Sequence, residues 1–380
     1  MNSNDSTAKP QNGSGGITVP DCLYQVDTGL EVAFKVIAFS LVLFLALIGN
    51  TLVVWVVHKS TSMRKKPINL FIVNLAVSDL LLALFVIPRI ITETVLYSGI
   101  WLVNGTAGLA LCRIVIFIQD VATAVSLQSL VIIAFDRFCA VVYPLRIATM
   151  PCTTRLVVIP MTWVVACALH SPDLFIYKLL PMDNNTSKCA QVWSTDKEEH
   201  EKIASRYYMA IFCLFVIIPM ILLTVLYASI FIHLRRRGKM TDLHTSGLQV
   251  GKRKEQEWNV LKMALAIVLG FAVCYGPFNA LIFLRIFKWN IWIPVCRIKT
   301  LYFVTTFLVY FNTALNPIIY FAFSENFRLG FKRVFTHHSK NSSTAKVFLT
   351  SVKNKMRGEG TNCESTHKVK TTCHVLDTHL

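Results

Sequence analysis

The stretch CRIVIFIQDVATAVSLQSLVIIAFDRFCAVVYPL, from Cys112 to Leu145, is long and mostly apolar, yet it carries two carboxylates, Asp120 and Asp136. A run of this length crosses the hydrocarbon core of a bilayer, which takes about 20 residues of helix. An ionisable side chain within such a run is costly and marks a functional position. At about 1.5 Å per residue, Asp120 lies about 12 Å below Cys112, and Asp136 about 24 Å further on. The two acids cannot share one site. One belongs to an outward-facing cavity, the other to the opposite, cytoplasmic rim.

The rest of the chain has the same character. Of its 380 residues, 54% are hydrophobic and only 16% are charged, whereas ordinary soluble proteins approach a quarter. Seven apolar runs carry the excess: Ala33–Val57, Ile68–Ile91, Leu109–Val142, Thr154–Leu169, Tyr207–Leu234, Val260–Phe287 and Leu301–Phe323. They lack the alternation of barrel strands, so helices are what satisfies their backbone groups in lipid. The expected fold is all-α, a seven-transmembrane helix bundle spanning residues 33–323. A polar tail, residues 1–32, precedes it, and with no apolar core there no cleaved leader is expected. After it come a short amphipathic helix, residues 324–336, and a polar tail, residues 337–380, rich in Ser and Thr and expected to be disordered.

Orientation follows from charge. Segments 58–67, 137–155 and 234–258 hold 4, 3 and 7 Lys/Arg and fall on one side with the C-terminal tail. The positive-inside rule makes that side cytoplasmic. The N-x-S/T sequons at Asn4, Asn12, Asn104, Asn184 and Asn185 all fall on the other side and are glycosylation candidates. These cytoplasmic segments hold 24 of the 38 basic residues, so the net charge of +17 reflects a surface facing anionic lipid, not nucleic acid. No internal repeat and no H-E-x-x-H motif supports a transporter or an intramembrane metalloenzyme. Cys112 and Cys189 both lie on the outer side, as do Cys22 and Cys296, so disulfides are open to them.

Several short motifs line up with the spans. GNTLVVW with Asn50, NLAVSDLL with Asp79, DRFCAVVYPL, Trp163, Pro219 with Tyr227, FAVCYGP and NPIIY occur in that order on seven successive runs. Together they resemble the rhodopsin-like (class A) G-protein-coupled receptors, over roughly residues 33–335. The resemblance implies a receptor, not an enzyme, that binds an extracellular ligand and activates heterotrimeric G proteins at the plasma membrane. It implies a Cys112–Cys189 disulfide and leaves a second, Cys22–Cys296, open. It implies an activation switch built from Asp136, Arg137, Tyr227, Glu257, Phe271, Asn316, Pro317 and Tyr320, in which Arg137 reaches Glu257 and clamps the third and sixth helices. It implies an allosteric sodium site of Asp79, Ser126, Asn312 and Asn316, and no other cofactor. Phe138 stands where the family usually has Tyr, and Tyr275 where it usually has Trp.

The ligand class can be narrowed. A retinal pigment needs a Lys where Tyr310 stands, and amine receptors place an Asp where Gln119 stands. FIQDVATAVSLQSL most resembles receptors of the neuropeptide FF, orexin and neuropeptide Y group, so a peptide is expected. A biogenic amine or other small ligand is the alternative, kept open by Asp120. The expected ligand residues are Glu93, Gln119, Asp120, Tyr275 and Tyr310. Asp120 pairs either with a ligand cation or within the protein, with Arg113 or through water with a neighbouring helix. STDKEEHE reads as an acidic outer loop suited to a basic peptide, whereas Arg285, Lys288, Arg297 and Lys299 make the third outer loop basic. On the inner side, SENFRLGFKRVF puts Phe327, Phe331 and Phe335 on one face of a helix lying on the inner leaflet. Phosphorylation of the tail would recruit arrestin, and the final DTHL fits a PDZ-domain ligand.

Overall fold

The computed structural model describes residues 27–96, 100–143, 152–182, 186–241, 248–287, 298–325 and 327–332, leaving aside the side chains of residues 67, 152–156, 237–241, 248–257, 259, 260, 285 and 286. Seven helical stretches among them are long and apolar enough to cross a membrane: Gly29–Lys59, Ile68–Val95, Gly105–Val142, Val157–Ile176, Lys197–Arg236, Leu261–Leu284 and Lys299–Phe323. These are spans one to seven. All seven belong to one compact unit, residues 1–331. The second unit, residues 332–380, has only Lys332 among the described residues.

The bundle is dressed for lipid. Phe34, Leu41, Val157, Ile221, Val225 and Val273 are all more than half exposed. Polar side chains turn inward instead: Asn50, Asp79, Ser126, Asn312 and Asn316 are buried. Spans two, three and four are stitched by polar bonds. Trp163 Nε1 donates to Asn74 Oδ1 at 2.9 Å, and Asn74 Nδ2 donates to Ser129 Oγ at 2.9 Å. Spans one and seven touch backbone to ring. A Cβ added to Gly49 would stand 2.7 Å from Cβ of Pro317, so only glycine fits this approach.

Prolines shape spans two and five. Five π-helical residues, Leu82–Val86, precede Pro88, and another five, Cys213–Ile217, precede Pro219. Proline removes a helical donor and crowds the carbonyl four residues back, and the wider turn makes room for its ring.

Spans one and five begin earlier than expected, and so do spans three and seven, at Gly105 and Lys299. Span one starts at Gly29, where Thr28 and Glu31 form a reciprocal capping box. The fifth helix starts at Lys197, not near Tyr207. STDKEEHE is therefore loop only as far as Asp196, and helix from Lys197 onward. Asp196 is the N-cap, accepting from the Glu199 N–H at 2.8 Å, and Glu198 and Glu199 occupy the first turn, where negative charge suits the helix dipole. Lys299, of the four basic residues expected in the third outer loop, opens span seven and pairs with Asp27 and, at 3.3 Å, with Glu31. Lys288 and Arg297, and the side chain of Arg285, lie outside the described residues.

A small sheet accompanies the helices. β1 (Ile100–Trp101), β2 (Tyr177–Met182) and β3 (Thr186–Gln191) are antiparallel in the order β1-β3-β2. Cys189, opposite Leu179 in the central strand, is bonded to Cys112 on span three with Cα atoms 5.8 Å apart. The alternative pair, Cys22 and Cys296, lies outside the described residues.

Residues 327–332 are helical, within the expected amphipathic segment. Phe327 does not face lipid. It is buried and stacks on Tyr320 with ring centroids 5.5 Å apart. Phe335, the polar tail and the terminal DTHL lie outside the described residues.

Candidate functional site

The sheet end of the bundle holds a cavity of about 600 Å³. Glu93, Gln119, Asp120, Tyr275 and Tyr310 all line it. Their spans bring them together although the sequence scatters them. Gln119 sits at the centre of a network. Its Oε1 accepts from Arg89 Nη2 at 3.0 Å and from the Tyr310 hydroxyl at 3.3 Å, while its Nε2 donates to Asp120 Oδ1 at 3.3 Å. Arg89 also bridges to Glu93 at 2.7 Å, one turn along span two. Arg89 is absent from the ligand residues expected from the sequence. Its signal is a guanidinium in an apolar run with an acid four residues on, which a functional default for intramembrane charge would catch.

Asp120 does not pair with Arg113. The Arg113 Nε donates instead to the Tyr177 carbonyl at 3.0 Å. Asp120 meets His170 and Asp173, whose donor atoms cluster with its own. Neither is among the expected site residues. They flank the end of the fourth helix, and no spacing rule links them to Asp120. At the start of β2, burial pushes the Tyr177 phenol well above its ordinary pKa. Neighbouring Tyr208, Asp120 and Asp173 add to this, and Arg89 opposes it.

A second polar cluster lies deeper. Asp79, fully buried, accepts from Asn316 Nδ2 at 2.9 Å and from Ser126 Oγ at 3.4 Å. Ser126 and Ser78 hydroxyls lie 2.8 Å apart. Asn312 is one turn before Asn316 on span seven, and its Oδ1 is buried without a hydrogen-bond partner among the described residues. A carboxylate, a hydroxyl and an orphaned carbonyl oxygen are the donor types a small hard cation takes, so the residues fit a sodium ion.

At the far end of span three from the sheet, Arg137 pairs with its neighbour Asp136, its Nε 3.1 Å from Asp136 Oδ2. The Glu257 side chain, the expected partner across the helices, is outside the described set. Phe271 stacks on Tyr275 with centroids 4.3 Å apart. Tyr227 and Tyr320 are buried, and neither hydroxyl has a hydrogen-bond partner among the described residues. Pro317 sits within the helix of span seven. Asn104 caps span three through its backbone, with its exposed side chain making no cap bond. Asn184 and Asn185, like Asn4 and Asn12, are outside the described residues.

Seven spans, a cystine-tethered hairpin and this ordered set of buried polar residues are matched by the profile of the 7 transmembrane receptor (rhodopsin family), over residues 49–320. The chain belongs to that family. It is a multi-pass G-protein-coupled receptor of the plasma membrane, not an enzyme. Among its relatives is a QRFP-like peptide receptor of Branchiostoma floridae, 29% identical over 317 residues, covering 82% of this chain and 80% of that one. The substance-K receptor of Canis lupus familiaris is 29% identical, covering 81% and 76%. The neuropeptide FF receptor 2 of Rattus norvegicus is 28% identical, covering 78% and 71%. The family membership agrees with the resemblance carried by the seven motifs.

Proposed function

We propose that this receptor is switched on by an extracellular neuropeptide and passes the signal to a heterotrimeric G protein. One observation carries the reading. Gln119, where an amine receptor needs an acid, is held by Arg89 and Tyr310 and presents an amide, not a free carboxylate, to the cavity. The names of the relatives, receptors for QRFP-like, substance-K and neuropeptide FF peptides, support the same class. Glu93, Asp120, Tyr275 and Tyr310 complete the proposed contact set. The mixed charge of this wall, with Arg89 beside Glu93 and Asp120, suits a peptide more than a compact monocation.

Finer roles follow in the same proposal. The N-terminus is extracellular and carries glycans at Asn4, Asn12, Asn104, Asn184 and Asn185. Asp79, Ser126, Asn312 and Asn316 hold a sodium ion that favours the resting state by bridging spans two, three and seven. Asp136, Arg137, Tyr227, Glu257, Phe271, Asn316, Pro317 and Tyr320 form the switch. Arrestin reads the phosphorylated tail, a PDZ domain reads DTHL, and the helix after span seven rests against inner-leaflet lipid through its basic side. The test is a screen of cells expressing the receptor against amidated peptides and biogenic amines, with calcium and cAMP readouts. A response to peptides is expected. A response confined to amines would overturn the reading.

A further inference from the structure

We infer that Asp120, His170 and Asp173 form a binding site for a Zn²⁺-like transition-metal ion in the cavity wall between spans three and four. One donor atom from each side chain lies within 4.8 Å of the other two. His170 Nδ1 and Asp173 Oδ2 are 3.4 Å apart. Four-coordinate Zn²⁺, with bonds of about 2.0–2.1 Å to nitrogen and oxygen, separates neighbouring donors by about 3.4 Å. The Asp120 oxygen completes the set of three within the same 4.8 Å.

The same two atoms need a partner. His170 and Asp173 are 6% and 1% exposed, and His170 Nδ1 and Asp173 Oδ2 face each other at 3.4 Å, an ion pair only with His170 protonated, while neither atom makes a hydrogen bond among the described residues. One ion between them satisfies both orphans at once. Charge points the same way. Two carboxylates cluster here against one imidazole, and the neighbouring guanidiniums are engaged elsewhere, Arg89 with Glu93 and Gln119, Arg113 with the Tyr177 carbonyl. Buried carboxylates without a cation are costly, and a divalent ion neutralises the pair.

The donor set selects the metal. One imidazole and two carboxylates suit Zn²⁺ and its transition-metal neighbours, whereas Ca²⁺ and Mg²⁺ prefer six or more oxygens. The surroundings hold the ligands in place. Gln119 Nε2 donates to Asp120 Oδ1, and the His170 ring stacks on Phe215 with centroids 5.5 Å apart. Asp120, His170 and Asp173 all line the cavity, so the fourth coordination position opens into it.

The test uses the purified full-length receptor in lipid nanodiscs with no peptide. Zn²⁺ up to ~100 µM should raise the melting temperature by about 3 °C or more, reversibly with chelator, while Mg²⁺ and Ca²⁺ should not. His170→Ala and Asp173→Asn should abolish the shift. A second readout uses the wild type alone, in case either variant folds poorly. Co²⁺ should give the intense visible bands of four-coordinate cobalt, without thiolate charge-transfer bands, and Zn²⁺ should bleach them. Absence of a Zn²⁺ shift in wild type, a shift retained in both variants, faint octahedral cobalt bands, or thiolate bands would each overturn the proposal. None of these readouts depends on which ligand activates the receptor.

Discussion

Asn316 on span seven donates a 2.9 Å hydrogen bond to the buried carboxylate of Asp79 on span two, so two helices far apart in sequence meet at one acid. Such a bond to a charged group contributes about 1.5–3 kcal/mol. With Ser126 bonded to it and the orphaned Asn312 oxygen one turn from Asn316, the cluster carries the donors of the sodium site proposed above to favour the resting state. Sodium should therefore lower agonist affinity in isolated membranes, and Asp79→Asn should remove that dependence. Equal sodium sensitivity in wild type and variant would count against the ion.

Arg137 is held by Asp136 at the end of span three far from the sheet. Breaking the hold frees a guanidinium to swing toward a partner helix, and the expected second hold is Glu257. Asp136→Asn and Glu257→Ala should each raise ligand-independent signalling at matched surface expression, and Arg137→Ala should weaken G-protein activation. Basal activity unchanged in both acidic variants would remove the clamp from the account.

Tyr227 and Tyr320 supply a test with the opposite sign for stability and activity. A buried hydroxyl left without a partner costs about 1–3 kcal/mol. Tyr227→Phe removes such a group, so the resting receptor should keep or slightly raise its melting temperature. If the hydroxyl finds its partner only in the active arrangement, the same variant should lose maximal agonist response. A normal maximal response with a lowered melting temperature would show that the phenol works in the resting state instead.

Gly49 reports on packing alone. A side chain there meets the Pro317 ring at 2.7 Å, well inside van der Waals contact. Gly49→Val should reduce surface expression sharply, because overpacking a rigid contact costs typically about 1–3 kcal/mol. Gly276, beside Pro277, has nothing within 4 Å of its added Cβ, so Gly276→Ala should express normally. Similar surface levels for the two variants in flow cytometry would contradict this contact.

The spans are legible in the sequence because lipid imposes a length and a composition that any apolar run must show. The apolar run Ile68–Ile91 ends within a few residues of the span found, Ile68–Val95. The fifth helix is less legible, because its first turns stand among polar residues. There the start is set by Asp196 as a cap, which a hydropathy reading passes over. The hairpin is hidden because YKLLPM and TSKCAQ are short and lack clear alternation. In the cavity, Gln119 and Asp120 stand out as polar residues in an apolar run. His170 and Asp173 do not, since only the folded bundle brings span four's end against Asp120.

Asp120 carries the last prediction. The sequence leaves it a ligand cation, Arg113 or a neighbouring helix, and Arg113 is taken by the Tyr177 carbonyl. Its described neighbours are Gln119, Asp173 and His170, so two carboxylates stand against a single imidazole and the local charge is negative. A basic group of the peptide can therefore dock there once any metal is chelated. Removing one partner of a desolvated pair of charges typically costs about 2–5 kcal/mol. At about 1.4 kcal/mol per tenfold, this is roughly 30-fold or more in affinity. With chelator present, Asp120→Asn should lower peptide potency at least ~10-fold at near-normal surface expression. Gln119→Ala should cost less, because it removes neutral hydrogen bonds, and Arg89 and Tyr310 remain to line the wall. Surface labelling and dose–response curves on the same cells separate the outcomes. A well-expressed Asp120→Asn receptor with an unshifted curve would place the peptide's basic group elsewhere in the cavity and leave this acid to the protein's own cluster.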